Sequence, residues 1–367
     1  MGLHNLEAQL QQIWTDMLQD TIQNLYASMP TCITSRIQED NLTAVTEFFL
    51  LGFQGSRCLR MFLFCSLFVV FGVTICGNLL IITLVSTSKS LHTPMYFYIS
   101  QLSITDILLS TDIVPNMLHI LLNNGAAIIF AGCMTQFYFF GVSETSECFL
   151  LTLMSYDRYV AICNPLHYTS IMTRDYCVKL TTACWLLVIF ISVMIIYAPS
   201  TLTFCGPNII DHFFCDLIPL LEIACSDIFI VQLQNSILSI PTLIIPIIII
   251  VASYVHIISS ILKIPSNISR QKAFSTCSSH LIVVSIFYCS LVVVYFFPTK
   301  GQSSTISKVL SLLYTVLSPL INPIIYSLRN KDIKKALQET IHKCLETDDS
   351  RRELDLVKKV KVNQLEA

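Results

Sequence analysis

Charge is what this chain has least of. Lys, Arg, Asp and Glu make up 13% of its 367 residues, against 54% hydrophobic, where a soluble globular domain carries about 25% charged residues. That deficit leaves much of the surface to face lipid. The few charges nearly cancel, at −2, so no basic excess exists to hold nucleic acid. Lys and Arg are missing altogether from residues 1–35, which excludes the basic start of a cleavable signal peptide. The first apolar span is therefore expected to act as its own targeting signal. Fifteen cysteines are present, yet none joins a histidine at zinc-site spacing. Most lie inside apolar runs, where cysteine behaves as a small buried hydrophobe. His92, His119, His167, His212, His256 and His280 scatter along the chain and form neither a metal cluster nor a nucleophile–base set, which argues against an enzyme. No internal repeat is visible, and a transporter built from repeated halves would show one.

What is there is a series of long apolar stretches. A spanning helix needs roughly 20 apolar residues, and seven stretches qualify. Met61–Ser88, Leu180–Phe204 and Ile228–Val255 lack Lys, Arg, Asp and Glu entirely. Pro94–Leu122 qualifies despite Asp106 and Asp112, and Cys133–Ile162 despite Glu144 and Glu147. Ala273–Pro298 and Lys308–Leu328 complete the set. Prolines 115, 199, 241, 246, 319 and 323 fall within or at the ends of these spans, where they predict kinks.

Loop charge sets the orientation. Lys89, then Arg174 and Lys179, then Lys263, Arg270 and Lys272, then Arg329, Lys331, Lys334 and Lys335 all fall on one side. The opposite loops, Asn123–Gly132 and Ser200–Asp227, contain no Lys or Arg. Arg57, Arg60, Lys300 and Lys308 count against the pattern and are outvoted. The positive-inside rule places the N-terminus outside and the C-terminus in the cytosol. Asn41-Leu42-Thr43 is then a glycosylation sequon on the outer side, while Asn267-Ile268-Ser269 lies in a basic cytosolic loop and should stay bare. The expected organisation is an outer segment 1–58, a seven-helix bundle 59–329, an amphipathic membrane-surface helix 330–345 and a charged, disordered tail 346–367. Leu3, Leu6, Leu10, Ile13, Met17 and Leu25 suggest a marginal amphipathic helix within 1–28. Cys344 is either an acylation site or an idle thiol.

Three groups of residues carry chemistry. Asp157-Arg158-Tyr159 closes the third span. Arginine is costly in hydrocarbon without a partner or a route to water. At the membrane boundary Arg158 can be held by Asp157 in one state and released in another, which is the chemistry of a switch. Asp106 and Glu147 are carboxylates deep in the membrane, with Asn78 and Asn322 expected nearby; they must be protonated, hydrogen-bonded or neutralised by a cation. Two readings stand, a sodium ion bridging both acids or a hydrated polar network without a fixed ion. Cys133 begins the third span, and Cys205, Cys215 and Cys225 lie in the outer loop between spans four and five. Oxidising surroundings favour disulfides there, and four cysteines allow three pairings.

Taken together, DRY at the end of span three and Asn322-Pro323-Ile324-Ile325-Tyr326 in span seven resemble the rhodopsin-like G-protein-coupled receptors. Leu91–Asp106 (LHTPMYFYISQLSITD), Met154–Tyr168 (MSYDRYVAICNPLHY), Lys272–Leu281 (KAFSTCSSHL) and Pro319–Asn330 (PLINPIIYSLRN) narrow the resemblance to the olfactory receptors. The Gly206–Asp227 loop is similar to that of the tetrapod-type class. The resemblance runs from about Asn41 to about Leu345, including VTEFFLLGF at Val45–Phe53. The first 40 and roughly the last 20 residues depart from it.

The resemblance implies an all-α seven-transmembrane bundle with no catalytic activity. It implies a small, mostly apolar volatile ligand, a stimulatory olfactory-type heterotrimeric G protein and cyclic AMP production. The expected place is the lipid of the plasma membrane, in olfactory neuron cilia. It implies that Arg158 rearranges on activation and lines the G-protein cavity, with Tyr254 and Tyr326 stabilising the active state. It implies the disulfides Cys133–Cys215 and Cys205–Cys225, and an acid pair at which sodium favours the inactive state. No other cofactor is expected. By family position the ligand pocket is lined by Phe140, Gly141, Glu144 and Thr145 of span three, Tyr288, Leu291, Val292 and Tyr295 of span six, and Leu312 and Thr315 of span seven. Tyr288 and Glu144 are expected to meet one ligand, Tyr288 through its hydroxyl. In a dry pocket Glu144 favours a ligand that donates hydrogen bonds or is positively charged.

Overall fold

The computed structural model describes residues 45–205, 207–296, 304–330 and 332–342. The 1–28 segment, the Asn41 sequon, Cys344 and the 346–367 tail lie outside the described residues. Seven long helices form the bundle: α1 (Arg57–Thr87), α2 (Pro94–Asn123), α3 (Phe130–Cys163), α4 (Arg174–Ser200), α5 (Phe229–Leu262), α6 (Asn267–Phe296) and α7, which is built of Ser304–Leu312, Leu313–Leu317 and Ser318–Arg329. An eighth helix, α8, covers residues 332–342.

Length and apolar composition alone qualify α1, α2, α4, α5 and α7 as membrane spans, with a shorter apolar stretch, Cys277–Val292, in α6. α3 falls short for a physical reason. It carries Glu144, Glu147, Asp157 and Arg158, of which Glu147 and Asp157 are buried, and these charges interrupt its apolar run. The helices around it turn apolar side chains outward: Phe62 and Phe68 on α1, Phe190 and Tyr197 on α4, Ile248 and Val255 on α5 are all exposed. Only 11% of the most apolar window of α5 is buried in the protein, so most of its apolar surface is left uncovered by the bundle.

The expected proline kinks take a specific form. Ile240–Ile244 of α5, containing Pro241 and followed by Pro246, is π-helical, and so is Leu313–Leu317 of α7, directly before Pro319. A π turn absorbs the backbone bond that a proline cannot make.

The outer face holds a feature that the apolar pattern did not predict, a three-stranded sheet. Its centre is β1 (Glu47–Leu50), flanked by β2 (Ala126–Ile129) and β3 (Ile209–Ile210). β1 and β2 pair antiparallel, Glu47 opposite Ile129 and Leu50 opposite Ala126; β1 and β3 pair parallel, Phe49 opposite Ile209. Strand alternation turns Phe48 and Leu50 inward, where Phe48 meets Phe204 edge-on at 5.0 Å between centroids. The segment before α1 thereby binds two outer loops into one cap. Gly52 lets the chain leave that cap: its φ is +63°, and a Cβ there would sit 2.4 Å from Ile120 Cγ2.

Candidate functional site

Functional groups occupy three levels of the bundle. At the inner end Arg158 donates through Nε to Asp157 Oδ2 at 3.0 Å and pairs with the same oxygen through Nη2. The other oxygen of Asp157 accepts the Tyr168 hydroxyl at 2.8 Å, from the loop after α3. The Asp157 side chain is fully buried and that of Arg158 nearly so, which makes the pair mutually dependent. Beside it the Tyr254 hydroxyl of α5 lies 2.7 Å from His280 Nδ1 and donates to the Cys277 carbonyl of α6 at 3.3 Å. Tyr159 packs edge-on to His256. Pro323 stands against Gly77, which has no side chain to obstruct it. The Tyr326 hydroxyl is buried and has no partner among the described residues. Below, the Tyr96 hydroxyl of α2 donates to Asn330 Oδ1 at 2.9 Å and Asp332 Oδ2 at 2.8 Å, at the joint between α7 and α8. Tyr168 and His280 were not singled out by sequence reasoning. Their partners lie 11 and 26 residues away, and only the folded bundle brings them together.

At mid-depth the two acids meet through one amide. Asn322 Nδ2 reaches Asp106 Oδ1 at 3.1 Å, Asp106 Oδ2 at 3.2 Å and Glu147 Oε1 at 3.3 Å. Ser318 Oγ donates to Glu147 Oε1 at 3.1 Å. Asn78 donates instead to the carbonyls of Thr74, at 3.0 Å, and Pro319, at 3.2 Å. Asp106, Glu147, Asn78 and Asn322 are each at most 2% exposed. Glu147 Oε2 and Asn78 Oδ1 are buried oxygens without a donor among the described residues. Buried acceptors of this kind are expensive to leave unmet.

Towards the outer side lies a cavity of about 250 Å³ between α3, α4 and α5, closed by the loop at Asp216 and Leu217 and touched by Leu291 of α6. Phe140, Gly141, Glu144, Thr145 and Leu291, all expected at a ligand pocket, line it. Four other expected residues do not. Tyr288 is buried and turns its hydroxyl to the Cys148 carbonyl of α3 at 3.4 Å. Thr315 is fully buried and bonds the Ser311 carbonyl. Leu312 and Val292 are half-buried away from the wall. The side chain of Tyr295 lies outside the described residues. The missed contributors are Asp216, Asn235, Ser239 and Thr242. On α5 their signal was available: Asn235, Ser239 and Thr242 recur at helical spacing on one face of an otherwise apolar span.

The cap over this cavity is covalently tied. Cys133 and Cys215 are joined with Cα atoms 5.5 Å apart, and Cys205 and Cys225 with Cα atoms 5.8 Å apart. Gln136 backs the first link, accepting the Cys215 amide at 3.0 Å and donating to the Asp112 carbonyl of α2 at 3.1 Å. Lys308 of α7 is 4% exposed; it donates to the Gly52 carbonyl at 2.8 Å and pairs with Asp211. Its neighbour His212 is buried, with Nε2 3.3 Å from Ser311 Oγ. Burial, aided by the Lys308 charge, pushes the His212 imidazole down to about 3.

Seven helices around a polar axis, an ion-paired arginine at the inner end and a capped cavity near the outer end define a membrane receptor of the G-protein-coupled class. The family model described as olfactory receptor matches residues 64–344, and the chain belongs to that family. It is 44% identical to olfactory receptor 10A7 of Homo sapiens over 302 residues, which cover 82% of this chain and 96% of that protein. Olfactory receptor 11L1 of Homo sapiens is 43% identical over 307 residues, covering 84% and 95%. Olfactory receptor 1496 of Rattus norvegicus is 44% identical over 302 residues, covering 82% and 97%. The chain is thus a multi-pass membrane receptor for odorants, with a small ligand and a G protein as its partners, and not an enzyme.

Proposed function

We propose that this receptor takes a small, mostly apolar volatile ligand into the cavity between α3, α4 and α5 and answers it through Arg158, activating a stimulatory, olfactory-type G protein and raising cyclic AMP. The observation that carries the proposal is the state of Arg158: a largely enclosed guanidinium held by the buried Asp157, with Tyr168 fixing the far side of the same carboxylate. A group held this way by reversible contacts can exchange them for another partner at small net cost, and that exchange is what couples a ligand to a G protein. The wall of the cavity supports the ligand class, since Phe140, Leu243 and Leu291 are apolar and a few polar groups remain to orient an occupant. The place of action we propose is the plasma membrane, in the cilia of olfactory neurons, with lipid against the exposed apolar faces of α1, α4 and α5.

The mid-depth acids fit a sodium ion, because Glu147 Oε2 is a buried oxygen without a donor among the described residues and an oxygen-rich set suits a hard cation. Asp106, Glu147 and Ser318 would hold the ion, with Asn322 between the acids. A cation held by these residues would neutralise carboxylate charge that burial otherwise penalises, and would so favour the resting arrangement.

The test is a cyclic AMP reporter in cells expressing the full chain, challenged with a chemically diverse volatile panel, beside the Arg158→Ala variant at matched surface level. At least one volatile should raise cyclic AMP in the parent, and none should in the variant. A full response in the variant would contradict the role given to Arg158.

A further inference from the structure

The outer cavity carries two carboxyl groups and no base. Glu144 lines it from α3 and Asp216 from the closing loop, and among the described lining residues there is no Lys, Arg or His. Asp216 is 4% exposed. One of its oxygens accepts the Leu217 amide at 2.7 Å, capping the short helix Leu217–Glu222; no donor among the described residues reaches the other. Glu144 has no hydrogen-bond partner among the described residues. Burial pushes the Asp216 carboxyl up to about 6, against the opposing pull of the Leu217 amide. Two acids in one largely apolar enclosure repel when both are ionised, and each is costly when unpaired. A cation between them turns both into charge-assisted hydrogen-bond acceptors.

The remaining walls narrow the cation. Phe140, Leu243 and Leu291 give the cavity apolar wall, while Thr145, Asn235, Ser239 and Thr242 supply polar groups beside the acids, so an occupant with one charged end and a hydrocarbon body meets a partner on each side. A cavity of about 250 Å³ far exceeds the roughly 10–15 Å³ that a single water needs, and so exceeds what a bare ion fills. An ammonium head with a short hydrocarbon body matches both the charge and the walls.

We propose that this receptor recognises small aliphatic primary amines, bound as ammonium ions between Glu144 and Asp216 with the hydrocarbon body against Phe140 and Leu291. The inference rests on the reading of this cavity as the odorant site.

Hexylamine, cyclohexylamine, hexanol, methyl hexanoate and hexanoic acid form a suitable probe set. Two readouts separate binding from signalling: the thermal shift of the purified full-length receptor in lipid nanodiscs, and cyclic AMP in cells. At least one amine should raise the melting temperature at concentrations where the alcohol, ester and acid do not. Glu144→Gln and Asp216→Asn each should weaken that amine by about tenfold to a hundredfold, the value of a hydrogen bond to a charged group, with a smaller effect on hexanol. Asn retains the helix cap, so a folding defect does not confuse the second variant. An amine that stabilises the receptor without raising cyclic AMP supports the amine site and contradicts the coupling. Stabilisation and signalling by hexanol or the ester, with none from either amine, overturns the amine site and leaves the receptor reading intact. Unchanged amine affinity in both variants also overturns it, as does the absence of any shift with either amine.

Discussion

The two ends of the bundle are held together by different chemistry. The outer end has two disulfides, a three-stranded sheet that ties the segment before α1 to two loops, and the buried Lys308 joining Gly52 and Asp211. The described contacts of the inner end include side-chain hydrogen bonds, packing and two ion pairs: Arg158 on Asp157, Tyr168 on Asp157, Tyr254 beside His280, Tyr96 on Asn330 and Asp332, and Lys335 with Glu339 on α8. Covalent links and sheet pairing resist displacement. Side-chain contacts exchange, because a competing partner can supply the same hydrogen bonds at little net cost. A receptor must keep its shape where the ligand enters and surrender it where the G protein docks, and the distribution of bonds follows that division.

The comparison is broken most severely by removing the covalent tie. Cys215→Ser frees the loop from α3 and should cost about 2–5 kcal/mol, enough to stop surface delivery, which flow cytometry of an epitope-tagged receptor reads directly. Normal surface density with a normal dose–response would show that the outer end does not depend on the link.

Acid should loosen the outer end next. The imidazole of His212 is held neutral by burial and by Lys308, down to about 3, whereas in the unfolded chain it titrates near 6.5. Between those values the unfolded state binds a proton that the folded state refuses, so stability falls as pH drops below about 6.5. At about pH 5 the loss from this group is about 1–2 kcal/mol. Asp216, raised to about 6, acts in the opposite sense over that range, so the test is comparative: between about pH 7 and 5 the melting temperature of the parent should drop relative to that of His212→Gln. An equal acid slope in parent and variant would remove His212 from the account.

The last change belongs to the inner end, and it should have the opposite functional sign. Tyr168→Phe deletes one donor to Asp157 and weakens the resting arrangement by about 1–2 kcal/mol. Ligand-free signalling should rise severalfold at unchanged surface level. Unaltered basal signalling would mean that Tyr168 packs the loop without restraining the switch.

How much of this was legible in the sequence depends on the range of the physics. The seven spans were readable because each rests on local composition, and α3 was readable in spite of its acids. The switch triplet, the acid pair and the four outer cysteines were visible as costly residues in costly places. The sheet was not: strands of four and two residues carry no usable periodicity. Lys308 had stood out as a base on the wrong side of the membrane. The fold explains the exception, since its ammonium turns into the cap and meets Asp211 and Gly52 and does not mark the membrane interface. Asp216 went unnoticed because its importance lies in what the loop covers, and only the Cys133–Cys215 tie places it over the cavity. Tyr288 was placed at the ligand by family position, and its hydroxyl donates to the Cys148 carbonyl, a contact between helices that no local pattern reveals.

The most direct measurement follows distances at both ends of one molecule. Fluorophore pairs placed between α3 and α6 near the Cys163 level, and between the same helices near the outer cap, would be followed by single-molecule energy transfer in nanodiscs while an activating volatile is added. The account predicts a separation at the inner end, lost in Arg158→Ala, with the outer distance unchanged. An outer displacement as large as the inner one, or an inner end that stays closed in a signalling receptor, would contradict it.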